Sequence, residues 1–150
     1  MIFRLLQIAI PFVWFGLIGG ISFMEAPLKF QAPNITIPLG LGIGRLIFFW
    51  LNKIEIILAI MLLISFFFSR PRGKFPLASF GFIAFLLILE TVWLLPVLDA
   101  KAVEVINGTA APYSNTHFIY IAFDAIKFVL LFALGVSIAK NYLKYERNEK

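Results

Sequence analysis

Four apolar stretches of about twenty residues, near Leu5–Met24, Leu46–Phe68, Leu77–Leu98 and Phe118–Ala139, decide what this chain can fold into. A helical run of roughly 20 apolar residues crosses the hydrocarbon of a bilayer. No water is available there, so each segment must satisfy its own backbone groups, which favours helices over open sheet. Composition points the same way: 61% of residues are hydrophobic and 14% charged, against about half and about a quarter in a soluble domain. Too little polar surface remains to coat a water-soluble globule. The expectation is an all-α integral membrane protein, a four-transmembrane-helix bundle forming one domain over residues 1–150. The first stretch reads as a span rather than a signal peptide, because Glu25-Ala26-Pro27 is a poor cleavage site.

Charge sets the expected orientation. The turn "SRPRGKF" gathers Arg70, Arg72 and Lys74, and the tail adds Lys140, Lys144, Arg147 and Lys150 against Glu146 and Glu149. With four spans, Arg4 lies on the same side. The opposite connections mix Glu25, Lys29 and Arg45 in one, and Asp99, Lys101 and Glu104 in the other. The positive-inside rule therefore places both termini in the cytoplasm, with the bacterial inner membrane as the expected location. The net charge of +5 resides in these short segments, which argues against a nucleic-acid partner. The first outer connection, "EAPLKFQAPNITIPLGLGIGR", is broken by Pro and Gly and reads as an interfacial or re-entrant cover. The second, "DAKAVEVINGTAAPYSNTH", reads as a short amphipathic piece, an Asn-Gly turn and an entry to the last span. Its Asn107-Gly108-Thr109 is formally a glycosylation sequon.

The polar residues inside the spans share one depth. Asn52 and Glu55 in the second span, Glu90 in the third, and Asp124 and Lys127 in the fourth all fall in the outer half of the membrane. Helical spacing puts Asn52 with Glu55, Glu90 with Trp93, and His117 with Tyr120, Asp124 and Lys127 on common faces. A charge near mid-membrane costs about 2.5–3.5 kcal/mol on insertion scales, so these faces are expected to turn inward and meet. Asn52, Glu55, Glu90, Trp93, His117, Asp124 and Lys127 are the candidate ligand-binding residues, with Glu25 and Lys29 at the mouth. Lys53 is expected to reach outward along its aliphatic stem. Carboxylates outnumber cations at this depth, and an uncompensated buried carboxylate needs a proton, a cation or a donor ligand. The plainer alternative is a neutralised network that fixes helix register.

Other chemistry is limited. The chain has no Cys, which removes disulfides, iron–sulfur clusters and thiolate metal sites. One His cannot supply the paired Glu-x-x-His ligands of a di-iron bundle. A single metal on Glu55, Glu90, Asp124 and His117 is the minor reading, and no metal or cofactor is expected. "LGLGIGR" follows no soluble strand and is not a dinucleotide fingerprint. "GLIGG" in the first span offers a small-residue face for close helix packing.

"WFGLIGGISFMEAPLKF", "GRLIFFWLNKIEIILAI" and "LLPVLDAKAVEVING" together give the chain a resemblance to the small four-span membrane proteins typified by transmembrane protein 205. The resemblance implies a four-helix bundle and no established reaction. A weaker likeness, through Arg45 and Asn52-x-x-Glu55, is to the membrane-associated proteins of eicosanoid and glutathione metabolism.

The leading functional expectation is binding or permeation of a small polar or amphiphilic ligand through a polar pocket in the outer half of the bundle. The alternatives are a membrane enzyme acting on a lipid or isoprenoid, with a protonated Glu as general acid, and a structural subunit of a larger membrane complex. The expected partners are the bilayer, a small-molecule or lipid ligand, and a second copy of the chain or a membrane complex.

Overall fold

The computed structural model describes residues 2–111 and 115–148, with side chains as far as Lys144. Glu146, Arg147, Glu149 and Lys150 of the basic tail therefore lie outside the described side chains. Four helices, each long and apolar enough to cross a membrane, make up the chain: α1 (Ile2–Gln31), α2 (Ile37–Phe68), α3 (Phe75–Ile106) and α4, whose apolar part is Asn115–Lys144. The protein is an all-α, four-helix membrane bundle. Successive helices alternate in direction, and each packs on its neighbours in a closed ring, α1 on α2 and α4, and α3 on α2 and α4. Both chain ends consequently lie at one end of the bundle, with the Ser69–Lys74 turn.

The helices overrun the expected spans at the opposite end. The anticipated re-entrant cover is mostly helix: α1 continues past Met24 to Gln31, and α2 begins at Ile37. Thr36 caps α2 by accepting from the Leu39 N–H, one of the orphan donors of a helix start. The Gly residues that suggest irregular backbone serve another purpose. A side chain at Gly40 would meet the Phe30 ring, and one at Gly44 would meet the Lys29 ammonium, so α2 is bare where the end of α1 crosses it. The amphipathic piece after the third span is likewise a continuation of α3 to Ile106. Gly108 then takes φ +75°, the left-handed conformation that suits Gly at a helix end, while the Thr109 N–H donates to the Glu104 carbonyl.

Side chains sort by environment. Phe67, Val92, Phe118, Leu46 and Val129 are each at least 65% exposed on the outer faces, where lipid replaces water. Toward the basic end the core is apolar: Ile10, Leu62, Phe66, Ile83, Leu87, Leu131 and Leu134 form one cluster, which continues through Trp14 to Ile18. Gly19 lies beneath the Phe128 ring and Gly135 beneath that of Phe12, bringing α1 and α4 close together. Gly16 and Gly20 of the same "GLIGG" stretch have open space beside them. Gln7 seals the basic end, its buried amide donating to the carbonyls of Ser65 and Ser69 at the end of α2.

Candidate functional site at a buried charged layer

The apolar core meets a layer to which every helix contributes. Trp14 of α1, Glu55 of α2, Glu90 of α3, and Asp124 and Lys127 of α4 are all fully buried. Lys127 Nζ is the centre. It donates to Glu55 Oε1 at 2.7 Å and to Glu90 Oε2, and lies 2.9 Å from Asp124 Oδ1. The contact with Asp124, one turn back on α4, is an ion pair without hydrogen-bond geometry. Trp14 Nε1 donates to Glu55 Oε1 at 2.7 Å, so that oxygen receives two donors. One carboxylate oxygen from each of Glu55, Glu90 and Asp124 lies within 4.8 Å of the others.

The arrangement is short of donors and of positive charge. Glu55 Oε2, Glu90 Oε1 and both Asp124 oxygens are buried without a hydrogen-bond partner. The Tyr120 hydroxyl lies beside Asp124, yet no acceptor stands at hydrogen-bonding geometry to it. Ser22 Oγ, on α1 beyond Ile18, is also buried and unpartnered. Buried polar groups are bonded in the large majority of cases, so this concentration of free acceptors marks the layer as unusual.

One turn outward, Asn52 donates to Thr91 Oγ1 at 2.9 Å, and Thr91 in turn donates to the Leu87 carbonyl. Asn52 is thus buried, with its amide committed to Thr91 instead of to a charged group of the layer. Trp93 is a correction to the sequence reading: it is 47% exposed and points away from the cluster. The cause is a π-helical turn over Glu90–Leu94. The extra residue in that turn rotates the rest of α3, so Leu94 rather than Trp93 returns to the interior one turn beyond Glu90. Turns of this kind recur at functional sites, and α1 holds a second one over Gly19–Glu25.

His117 does not join the cluster either. It is exposed at the start of α4, about 10 Å along the helix from Asp124 at helical rise. Glu25 and Lys29 pair with each other at 3.3 Å, and the Lys29 ammonium also faces the Phe48 ring. Lys53 is exposed, its ammonium 5.2 Å from the Phe49 ring centroid. At the outer rim Arg45 makes a two-pronged bond to Asp99, at 2.6 and 2.9 Å, tying α2 to α3.

Sequence reasoning brings together Glu55, Glu90, Asp124 and Lys127, and misses Trp14, Thr91, Tyr120 as an unpartnered hydroxyl, and Gln7. A signal for Trp14 is present: Gln7, Ile10, Trp14 and Ile18 recur at steps of three and four. An indole on an inward stripe needs an acceptor. No family model, no curated protein and no solved structure matches the chain.

Proposed function

We propose that the protein binds a small cation inside the membrane at Glu55, Glu90 and Asp124 and exchanges it for protons held in that layer, with Lys127 as the fixed countercharge. The supporting observation is that three fully buried carboxyl groups share one ammonium. Fully ionised, the cluster would carry three negative charges and one positive. Burying an uncompensated ion costs several kcal/mol even after relaxation, so two further positive charges belong in the layer. Protons on two of the carboxyls meet that need at rest. A cation that enters must displace one proton for each charge it carries, because the layer tolerates no growth in net charge. The unpartnered oxygens of Glu55, Glu90 and Asp124 are the ligands such an ion would take.

With the Ser69–Lys74 turn facing the cytoplasm, as its charge directs, the layer lies in the outer half of a bacterial inner membrane. The polar groups of Asn52, Thr91, Tyr120 and Ser22 are on the approach to it. Gly16 and Gly20, one turn apart with open space beside them, offer a close-packing face to a second copy.

A register-fixing network is the second reading, favoured by one observation: each of the four helices supplies a member of the layer. One experiment separates the two. The purified protein is melted in lithium, sodium, potassium or methylammonium chloride, with choline chloride holding ionic strength constant. A ligand specific to the folded state stabilises by RT ln(1 + [L]/Kd), about 2.7 kcal/mol at one hundred times Kd. Cation exchange predicts stabilisation by at least one of these ions, lost in Glu90→Gln. Indifference to all four refutes it.

A further inference from the structure

Resting on the exchange reading, we infer that the Tyr120 hydroxyl completes the ligand set, and that the ion taken is a bare alkali-metal ion and not an alkylammonium. One turn from the charged layer, away from the Ser69–Lys74 turn, each helix supplies a further buried side chain. Ile18 follows Trp14, Leu51 precedes Glu55, Leu94 follows Glu90 and Tyr120 precedes Asp124, at 0%, 1%, 0% and 2% exposure. Three of the four are aliphatic. Tyr120 is the exception: its ring packs edge-on to Phe48, centroids 5.3 Å apart, and its hydroxyl lies beside Asp124 without a hydrogen-bond partner. The Asn52 amide, at the same level, is committed to Thr91.

A buried, unpartnered hydroxyl beside an unpartnered carboxylate is rarely left so in a folded interior, and a ligand that engages both accounts for it. A phenol hydroxyl can donate and accept at once. Beside a cation its oxygen lone pair turns to the ion, while the O–H donates to Asp124, neither of whose oxygens has a hydrogen-bond donor. Oxygen ligands of this kind suit hard metal ions. The enclosure decides against a larger guest. An alkylammonium carries a carbon substituent, which would have to fit among Ile18, Leu51 and Leu94, side chains already packed so that solvent reaches almost none of them. Adding carbon to a filled interior forces neighbouring side chains out of place. Lys127 already sets one ammonium among the carboxylates, on a stem that enters from α4.

The test melts the parent and Tyr120→Phe in choline chloride, then with lithium, sodium, potassium or methylammonium chloride replacing choline at constant ionic strength. In choline chloride Tyr120→Phe should melt no lower than the parent, because the hydroxyl has no hydrogen bond to lose. The alkali ion that stabilises the parent most should bind Tyr120→Phe about tenfold or more weakly, read from the concentration that gives half the stabilisation. Methylammonium should stabilise the parent less than that ion. If Tyr120→Phe melts well below the parent in choline chloride, the hydroxyl is a structural group and the assignment is overturned. Equal affinity of the two proteins for the same ion would remove Tyr120 from the ligand set while leaving the exchange reading intact. Stabilisation by methylammonium as strong as by any alkali ion would overturn the ion class. A parent indifferent to all four ions refutes the exchange reading, and the role of Tyr120 with it.

Discussion

Replacing Lys127 with Met removes the hub of the charged layer while keeping most of its volume. Three contacts vanish at once: 2.7 Å to Glu55, 2.9 Å to Asp124, and the bond to Glu90. Breaking a buried pair costs about 3–5 kcal/mol. Proton uptake leads to a similar figure. Without the ammonium the folded variant must hold one more proton than the parent, and protonating an ordinary carboxylate of pKa about 4.3 at pH 7 costs about 4 kcal/mol. At pH 5 the same step costs about 1 kcal/mol. The folded variant binds more protons than the unfolded chain, so its stability falls as pH rises. Lys127→Met should therefore be damaged far more at pH 7 than at pH 5, relative to the parent at each pH. Adding Asp124→Asn returns the layer to the parental net charge and should recover much of the loss. Glu55→Gln and Glu90→Gln each remove a surplus negative charge and should leave stability unchanged or raise it. The assay is thermal unfolding in one detergent at the two pH values, followed by Trp fluorescence. A Lys127→Met penalty independent of pH, or Glu→Gln variants as unstable as Lys127→Met, would refute the charge surplus.

Trp14→Phe removes the 2.7 Å bond to Glu55 and should cost about 1.5–3 kcal/mol, as for a hydrogen bond to a charged group, read from the same melts. Gln7→Leu keeps the bulk but removes the donor to the carbonyls of Ser65 and Ser69, leaving Ser65 only the Ser69 N–H. It should cost about 1–3 kcal/mol and speed amide hydrogen exchange in the last turn of α2 without altering the outer end. The chain has no Cys, so single cysteines report orientation without background. In intact cells a membrane-impermeant thiol reagent should label Thr109→Cys and spare Ser69→Cys, and the reverse pattern would invert the topology.

How much of this can be read in the sequence depends on how local the governing physics is. The spans are legible because hydrophobic length is a property of each segment alone. Glu55, Glu90, Asp124 and Lys127 are legible as a group because the cost of charge in lipid leaves them nowhere else to go. The direction of Trp93 is not legible. Placing Trp93 on the Glu90 face assumes α-helical phase, and the π turn over Glu90–Leu94 shifts that phase by one residue. Gly40 and Gly44 look like helix breakers in the sequence, whereas their role is to clear a path for Phe30 and Lys29 from another helix. Trp14 and Gln7 stand on a legible inward stripe, but what each does there is not legible, because its partner is on α2 more than forty residues away.

The exchange of protons for a cation is tested most directly by proton release. The purified protein, in weakly buffered detergent near neutral pH, is mixed with each of the candidate cations while a pH indicator follows the solution. Exchange requires that the cation which stabilises the protein also releases protons, saturating at the same concentration. The release should be lost in a Glu55→Gln, Glu90→Gln double variant that remains folded. A cation that binds and stabilises without releasing any proton, or release undiminished in the double variant, would contradict it.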